Sequence, residues 1–126
     1  MTITPKRRLG DAGERHARRH LEAKGYRFVA ANWRCQVGEL DLVLRDRDEL
    51  VFVEVKTRRG EEMGRAEEAI GRAKIGRLFA AAEWFLADHP EHAEAVWRVD
   101  LVAITLDEHD GRVQRVTHIE NALATG

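Results

Sequence analysis

Two apolar runs, Gly38 to Arg45 and Leu50 to Thr57, flank the polar stretch Asp46 to Glu49, and they limit the fold more tightly than any other feature of the chain. Both are rich in Leu and Val and bounded by turn residues, which predicts a β-hairpin. Successive side chains on a strand point to opposite faces. Glu39, Asp41 and Val43 therefore share one face of the first strand, with Leu40, Leu42 and Leu44 on the other. In the second strand Phe52, Glu54 and Lys56 share a face, opposite Val51, Val53 and Val55. With Arg47-Asp48 as a two-residue turn, facing residues have numbers that sum to 95. Asp41 then opposes Glu54, Glu39 opposes Lys56, and Val43 opposes Phe52. A slip of one residue would scatter the polar groups, whereas a change of two in the sum keeps them on one face.

Facing positions bring Cβ atoms within about 5 Å. Two carboxylates that close repel unless a cation lies between them or one holds a proton. Oxygen ligands favour a hard ion, Mg²⁺ or Mn²⁺, over zinc. Lys56, pointing the same way, is placed to orient water, lower its pKa or stabilise a pentacovalent phosphate. The metal would supply Lewis acidity and a hydroxide nucleophile. Such a set suits phosphodiester hydrolysis. The plainer alternative is an amphipathic hairpin with cross-strand ion pairs, Glu39–Lys56 among them. Spacing alone leaves both open.

The remaining segments supply a frame. A helix is predicted from Asp11 to just before Gly25, a typical helix-ending residue, and a strand from Tyr26 to Arg34. A second helix is predicted over Arg65 to Ala87, stopping before Pro90, with Ile70, Ile75, Leu78, Ala82, Phe85 and Leu86 on one side. Strands follow at Val96 to Leu106 and Val113 to Ile119, around a turn at Asp107 to Gly111. The order is α-β-β-β-α-β-β, an α/β class with a mixed central sheet flanked by helices. A length of 126 residues, 44% of them hydrophobic, fits one domain over 1–126, with residues 1–8 as a flexible basic arm.

Charge narrows the function. The 21 Lys and Arg nearly balance 22 Asp and Glu, which argues against coating nucleic acid by bulk charge. The distribution is uneven: residues 1–34 hold nine basic and three acidic residues, and residues 83–110 hold eight acids and one base, Arg98. One face could thus meet a polyanion. A single cysteine, Cys35, excludes an internal disulfide and fits a reducing compartment. The first ten residues lack the apolar segment of a secretory signal, and no run approaches the ~18 apolar residues of a membrane span. A cytoplasmic protein without a membrane partner is expected.

Arg58 and Arg59, directly after the second hairpin strand, are candidate phosphate clamps. Lys6, Arg7, Arg8, Arg15, Arg18 and Arg19 would extend that surface without base preference. Lys74 falls inside the apolar stripe of the second helix, between Ile70 and Leu78. It either snorkels to the helix edge or points toward the acidic face to bind phosphate. Asp11 and Glu14 fit a capping box at the start of the first helix. His16 and His20, four apart, read as a solvated helix face, since no third ligand stands nearby. Asp100 reads as an ion-pair partner of Arg98. Trp33 and Cys35 read as packing residues. Gly60 to Gly64 reads as a loop at the mouth of the site and lacks the ending of a P-loop.

Glu39-Leu40-Asp41 followed by Val53-Glu54-Val55-Lys56 resembles the PD-(D/E)xK nuclease signature. The chain as a whole is similar to the YraN family of small bacterial nuclease-like proteins. The matching positions are Gly10, Gly13-Glu14, Gly25-Tyr26, Gly38 to Leu42, Val53 to Lys56 with Arg58, Lys74 and Arg98 to Asp100. The resemblance implies a restriction-endonuclease-like core and a metal-dependent endonuclease. The arrangement also resembles that of archaeal Holliday-junction resolvases, which implies Glu14, Asp41 and Glu54 as the acidic set, Lys56 as the catalytic base, and branched or structured DNA as substrate. Glu14 is then both a capping and a ligand candidate, and Glu39 a ligand or the partner of Lys56. A homodimer would let two sites cut opposing strands, although no residue pattern demands one. Two other readings stay open: a nucleic-acid-binding module without turnover, and a non-catalytic regulatory or assembly protein.

Overall fold

A computed structural model of the chain describes residues 5–60 and 71–122, with side chains from residue 9 onward. The elements are α1 (Pro5–Ala23), β1 (Arg27–Cys35), β2 (Gly38–Asp46), β3 (Glu49–Arg59), α2 (Arg72–Asp88), a 3₁₀ turn (Pro90–His92), β4 (Val96–Leu106) and β5 (Val113–Ile119). The five strands form one sheet in the order β1-β2-β3-β4-β5. Neighbours are antiparallel except β3 and β4, which run parallel from Glu49↔Val96 to Arg59↔Leu106. A parallel pair needs a long crossover connection, and α2 lies within it.

Each helix covers one face of the sheet. Ala17 and Leu21 of α1 pack with Leu42, Leu44, Val51, Val53, Val102 and Ile104. Leu78, Ala81, Ala82 and Phe85 of α2 pack with Val43, Leu50, Phe52 and Val99. Strand alternation accounts for this division, because odd residues of β3 meet α1 and even ones meet α2. Phe85 anchors the second core, edge-to-face with Trp33 at 5.2 Å and Phe52 at 5.6 Å. The predicted stripe of α2 holds for Leu78, Ala82 and Phe85, with Ile75 and Leu86 at its border. Residues 65–70 of the predicted helix, Ile70 included, and residues 61–64 of the predicted loop lie outside the described residues.

The first helix differs from expectation. It begins at Pro5, so residues 5–8 of the predicted arm are helical. Proline suits a first helical position because its fixed φ fits the helix and its missing N–H would be unpaired there anyway. Neither Gly10 nor Gly13 interrupts α1. A Cβ on Gly13 would run into the Thr57 side chain, so this glycine is what lets α1 lie against β3.

The hairpin keeps the expected register, with Asp46↔Glu49, Val43↔Phe52 and Leu42↔Val53 all summing to 95. Arg47 takes a φ of 58° in the turn, a conformation that hairpins usually give to glycine or asparagine. The ladder stops at Leu42↔Val53, while β1 stays paired with β2 down to Cys35↔Gly38. Past Leu42, β2 leaves β3, and strand parity is lost with it. Leu40 packs in the α2 core beside Val43, not with Leu42 and Leu44 as simple alternation predicts.

Candidate active site

The opening between β2 and β3 is where the acidic residues gather. Asp41 stands at the first position past the ladder. Its Oδ2 accepts a hydrogen bond from the Val55 amide at 2.9 Å, so the side chain occupies the place of a ladder partner. Asp41 and Glu54 do not form a ladder pair, yet their carboxyl groups lie within hydrogen-bonding reach of each other. A hydrogen bond between the two groups needs a proton on one of them, and Glu54 Oε2 is buried with no other hydrogen-bond partner among the described residues. Glu54 is only 4% exposed. Its other oxygen, Oε1, is 3.3 Å from Lys74 Nζ. The N-terminal turn of α2 therefore points Lys74 at the acidic face, the second of the two orientations the sequence allowed.

Electrostatics follow from this crowding. Burial and then the neighbouring Asp41 push Glu54 up to about 8, against a partial counter-effect from Lys74. Burial also raises Asp41, opposed by the Val55 amide and by hydrogen bonding with Glu54. Glu14 belongs to the same group of charges. Burial first, then Asp41, raise it to about 7, while a hydrogen bond from the Asn32 side chain works the other way. Glu14, Asn32, Glu39 and Asp41 line one cleft of about 310 Å³ between α1 and the sheet.

Of the predicted residues, Glu14, Glu39, Asp41, Glu54 and Lys74 come together here, and four expectations need correction. Asp11 and Glu14 lie well inside α1, so they do not form a capping box; the helix starts two turns earlier. Glu39 pairs with Arg34 of β1 at 3.7 Å and not with Lys56, because β2 follows β1 once it has left β3. Lys56 keeps the face of Glu54, and no carboxylate pairs with it among the described residues. Arg58 shares that face, but alternation turns Arg59 to the other, where its guanidinium lies near Gly111. The fourth concerns His16 and His20: both are half-buried, and burial, then neighbouring basic groups, hold their imidazoles below the usual value.

Arg15 is exposed on α1 and borders a second cleft, of about 380 Å³, that also contains Glu14. The backbone of Arg7 and Arg8 is in the first turns of α1, and their side chains lie outside the described residues.

Asn32 escaped notice in the sequence. It adopts a φ of 52° in the middle of β1 and falls between the pairs Ala31↔Leu42 and Trp33↔Leu40, level with Asp41. Its residue type was the available signal, since asparagine tolerates the left-handed region.

The donor set can be tested against a divalent ion. An all-oxygen pair, crowded and desolvated, with one buried oxygen lacking a partner, fits a hard cation. Among the described residues, no three His, Cys, Asp or Glu side chains form a ready-made metal cluster. Mg²⁺ does not require one, because it keeps several waters and binds through one or two carboxylates plus phosphate oxygens.

A second polar cluster lies away from these carboxylates. Arg98 pairs with Asp46, Glu49 and Asp100, and also donates to the Tyr26 hydroxyl. Asp100 is fully buried and further accepts from His118 at 2.8 Å and from the Asn121 amide at 2.8 Å. Lys24 lies 2.9 Å from His118 Nδ1. An ammonium only donates, so Nδ1 accepts and the ring proton sits on Nε2, facing Asp100. The predicted Arg98–Asp100 ion pair is present as the centre of a larger network.

Fold and site together define an α/β protein whose central hairpin opens onto a crowded acidic pair, with Lys74 against buried Glu54 and Lys56 further along the same strand face. Residues 13–104 match the model of the family described as "Uncharacterised protein family UPF0102". A UPF0102 protein of Roseiflexus castenholzii is 50% identical over 99 residues, covering 79% of this chain and 80% of the relative. One from Chloroflexus aurantiacus is 46% identical over 116 residues, 92% of each. Another, from Pelotomaculum thermopropionicum, is 46% identical over 114 residues, 90% of this chain and 93% of the relative. The chain belongs to the UPF0102 family, and the likeness to YraN proteins holds at that level. No helix among the described residues is long and apolar enough to cross a membrane.

Proposed function

We propose that this protein is a Mg²⁺- or Mn²⁺-dependent endonuclease that hydrolyses phosphodiester bonds in DNA, with branched or otherwise structured DNA as the substrate class. One observation carries the reading: buried Glu54 and half-buried Asp41 lie against each other where the hairpin opens, and Glu54 Oε2 has no hydrogen-bond partner among the described residues. Burial of a second carboxylate beside a first is costly unless a proton or a cation compensates it, and a divalent ion would do so with both groups ionised. Asp41 and Glu54 would hold the ion, with Glu14 and Glu39 facing the adjoining cleft. The bound ion would supply Lewis acidity toward a phosphate oxygen and a lowered pKa for a coordinated water.

The other roles fall to the chain's own groups. The Val55 amide fixes the Asp41 carboxylate. Lys56, one strand step beyond Glu54 and free of a carboxylate partner among the described residues, is available to hold a water or a phosphate oxygen. Arg58 on the same face and Arg15 beside the Glu14 cleft would contact flanking phosphates.

The test is nicking of supercoiled plasmid and of a four-way junction with Mg²⁺ or Mn²⁺. Lys56→Ala should abolish cleavage while binding persists, and Asp41→Asn should weaken metal binding by calorimetry. One observation favours a second reading, a nucleic-acid-binding module without turnover: the Lys74 ammonium already stands where a cation would compensate Glu54. Salt-dependent DNA binding without cleavage of any substrate would select that reading.

A further inference from the structure

Lys74 occupies an unfavourable position for a cation. It lies in the first turn of α2, whose N-cap, Gly71, offers no side-chain hydrogen bond and whose first turn contains no acidic residue. The helix dipole places partial positive charge at that end, so a lysine there is disfavoured. What holds it is the carboxylate of Glu54, a nearly buried group 3.3 Å away, while half of the Lys74 side chain stays exposed. Lys56, on the same strand face as Glu54, has no such partner among the described residues. The two lysines of the site are therefore in different states, one engaged by the acidic pair and the other available.

We propose that Lys74 is an exchangeable counter-cation: it offsets one charge of the Asp41–Glu54 pair in the free protein and must release Glu54 when a divalent ion is bound. This rests on the metal reading above. An ammonium and a hard divalent ion seek the same carboxylate oxygens. With Lys74 holding Oε1, the free pair carries one negative charge less than its two carboxylates would give, which limits the repulsion between them. Release needs little rearrangement, because the half-exposed lysine stem can turn from the site by its own rotamers. The freed ammonium stays at the mouth of the site, where a phosphodiester is the anion it would next meet. Metal loading and phosphate capture are thereby coupled through one side chain.

Competition makes a prediction opposite to that for a ligand-supporting residue. Calorimetric titration of the full chain with Mn²⁺ should show Lys74→Met binding about two- to fivefold tighter than the parent, the range set by one partly exposed ion pair. Lys74→Arg, which keeps the charge, should stay near the parent. Asp41→Asn should lose affinity in either background, placing the ion at the pair. In the unmutated chain, titration with diamagnetic Mg²⁺ should shift the Lys74 side-chain Cε resonance, and should leave it unmoved in Asp41→Asn. Equal or weaker binding by Lys74→Met, or a Lys74 signal indifferent to saturating Mg²⁺, overturns the exchange while leaving the metal site standing. Absence of Mn²⁺ binding from parent and variants alike overturns both.

Discussion

Glu54→Gln should make the free protein more stable, and by an amount that depends on pH. In the folded chain the carboxyl is pushed to about 8 from an ordinary 4.5, by burial and then by Asp41. A carboxyl raised on folding is most compatible with the native state while protonated. Its favourable contribution is complete below pH 4.5 and is lost as pH rises through about 8, because only the native state must bury the charge. Each pH unit of that gap corresponds to about 1.36 kcal/mol, for an upper limit near 5 kcal/mol. Structural relaxation, water entry and the Lys74 ion pair reduce it, and about 2–3 kcal/mol between pH 5 and 8 is the expected loss in the parent. Glutamine keeps the shape and cannot ionise, so the variant should hold a flatter profile and exceed the parent most at pH 8. Urea denaturation of both proteins from pH 5 to 9 in metal-free buffer measures this. Parallel profiles, or a variant less stable than the parent at pH 8, would refute the idea that charge crowding dominates the site. Added Mg²⁺ should then stabilise the parent at pH 8 and leave Glu54→Gln nearly unaffected.

The frame of the site offers further tests. Gly13→Ala should destabilise by about 1–3 kcal/mol, since its methyl meets the Thr57 side chain; adding Thr57→Ala should recover part of the loss in a thermal-melt cycle. Asp100→Asn should cost roughly 3 kcal/mol, because Arg98 is left half-buried with its central carboxylate gone. Burial pushes the Asp100 carboxyl up, but hydrogen bonds from His118, Arg98 and the Asn121 amide outweigh it and hold the group below 3.8. That contribution is present above pH 3.8 and fades as pH falls through the lower folded value, so Asp100→Asn should flatten the acid-denaturation profile. Phe85→Ala should lower stability by about 3–5 kcal/mol in chemical denaturation, as the core of the α2 face is emptied.

Much of this fold was legible from periodicity. β4 and β5 begin and end where apolar patterning places them, and the hairpin register follows from a two-residue turn. Those features are local, since alternation and turn chemistry act over a few residues. Helix α1 was misread at its start because Asp11 and Glu14 imitate a capping box. That Gly13 is required by contact with Thr57, 44 positions later in the chain, is likewise invisible to local pattern. Lys74 shows the same limit: its stripe position was visible, but its direction depends on where α2 settles over β3.

By itself, the sequence determined the α/β order, the faces of the paired hairpin strands, the hairpin register and the presence of three acids and a lysine toward the open end of that hairpin. Tertiary structure decided how those groups meet. Because β2 leaves β3 after Leu42 while remaining paired with β1, Glu39 goes to Arg34, Asp41 takes the Val55 amide, and Asn32 and Glu14 come within reach of Asp41. Alternation fixes the face on which a side chain stands while the strand stays regularly paired, a property of neighbouring residues. Where two strands part is set by the helices and strands packed around them, and that long-range competition turned a regular ladder into an acidic opening.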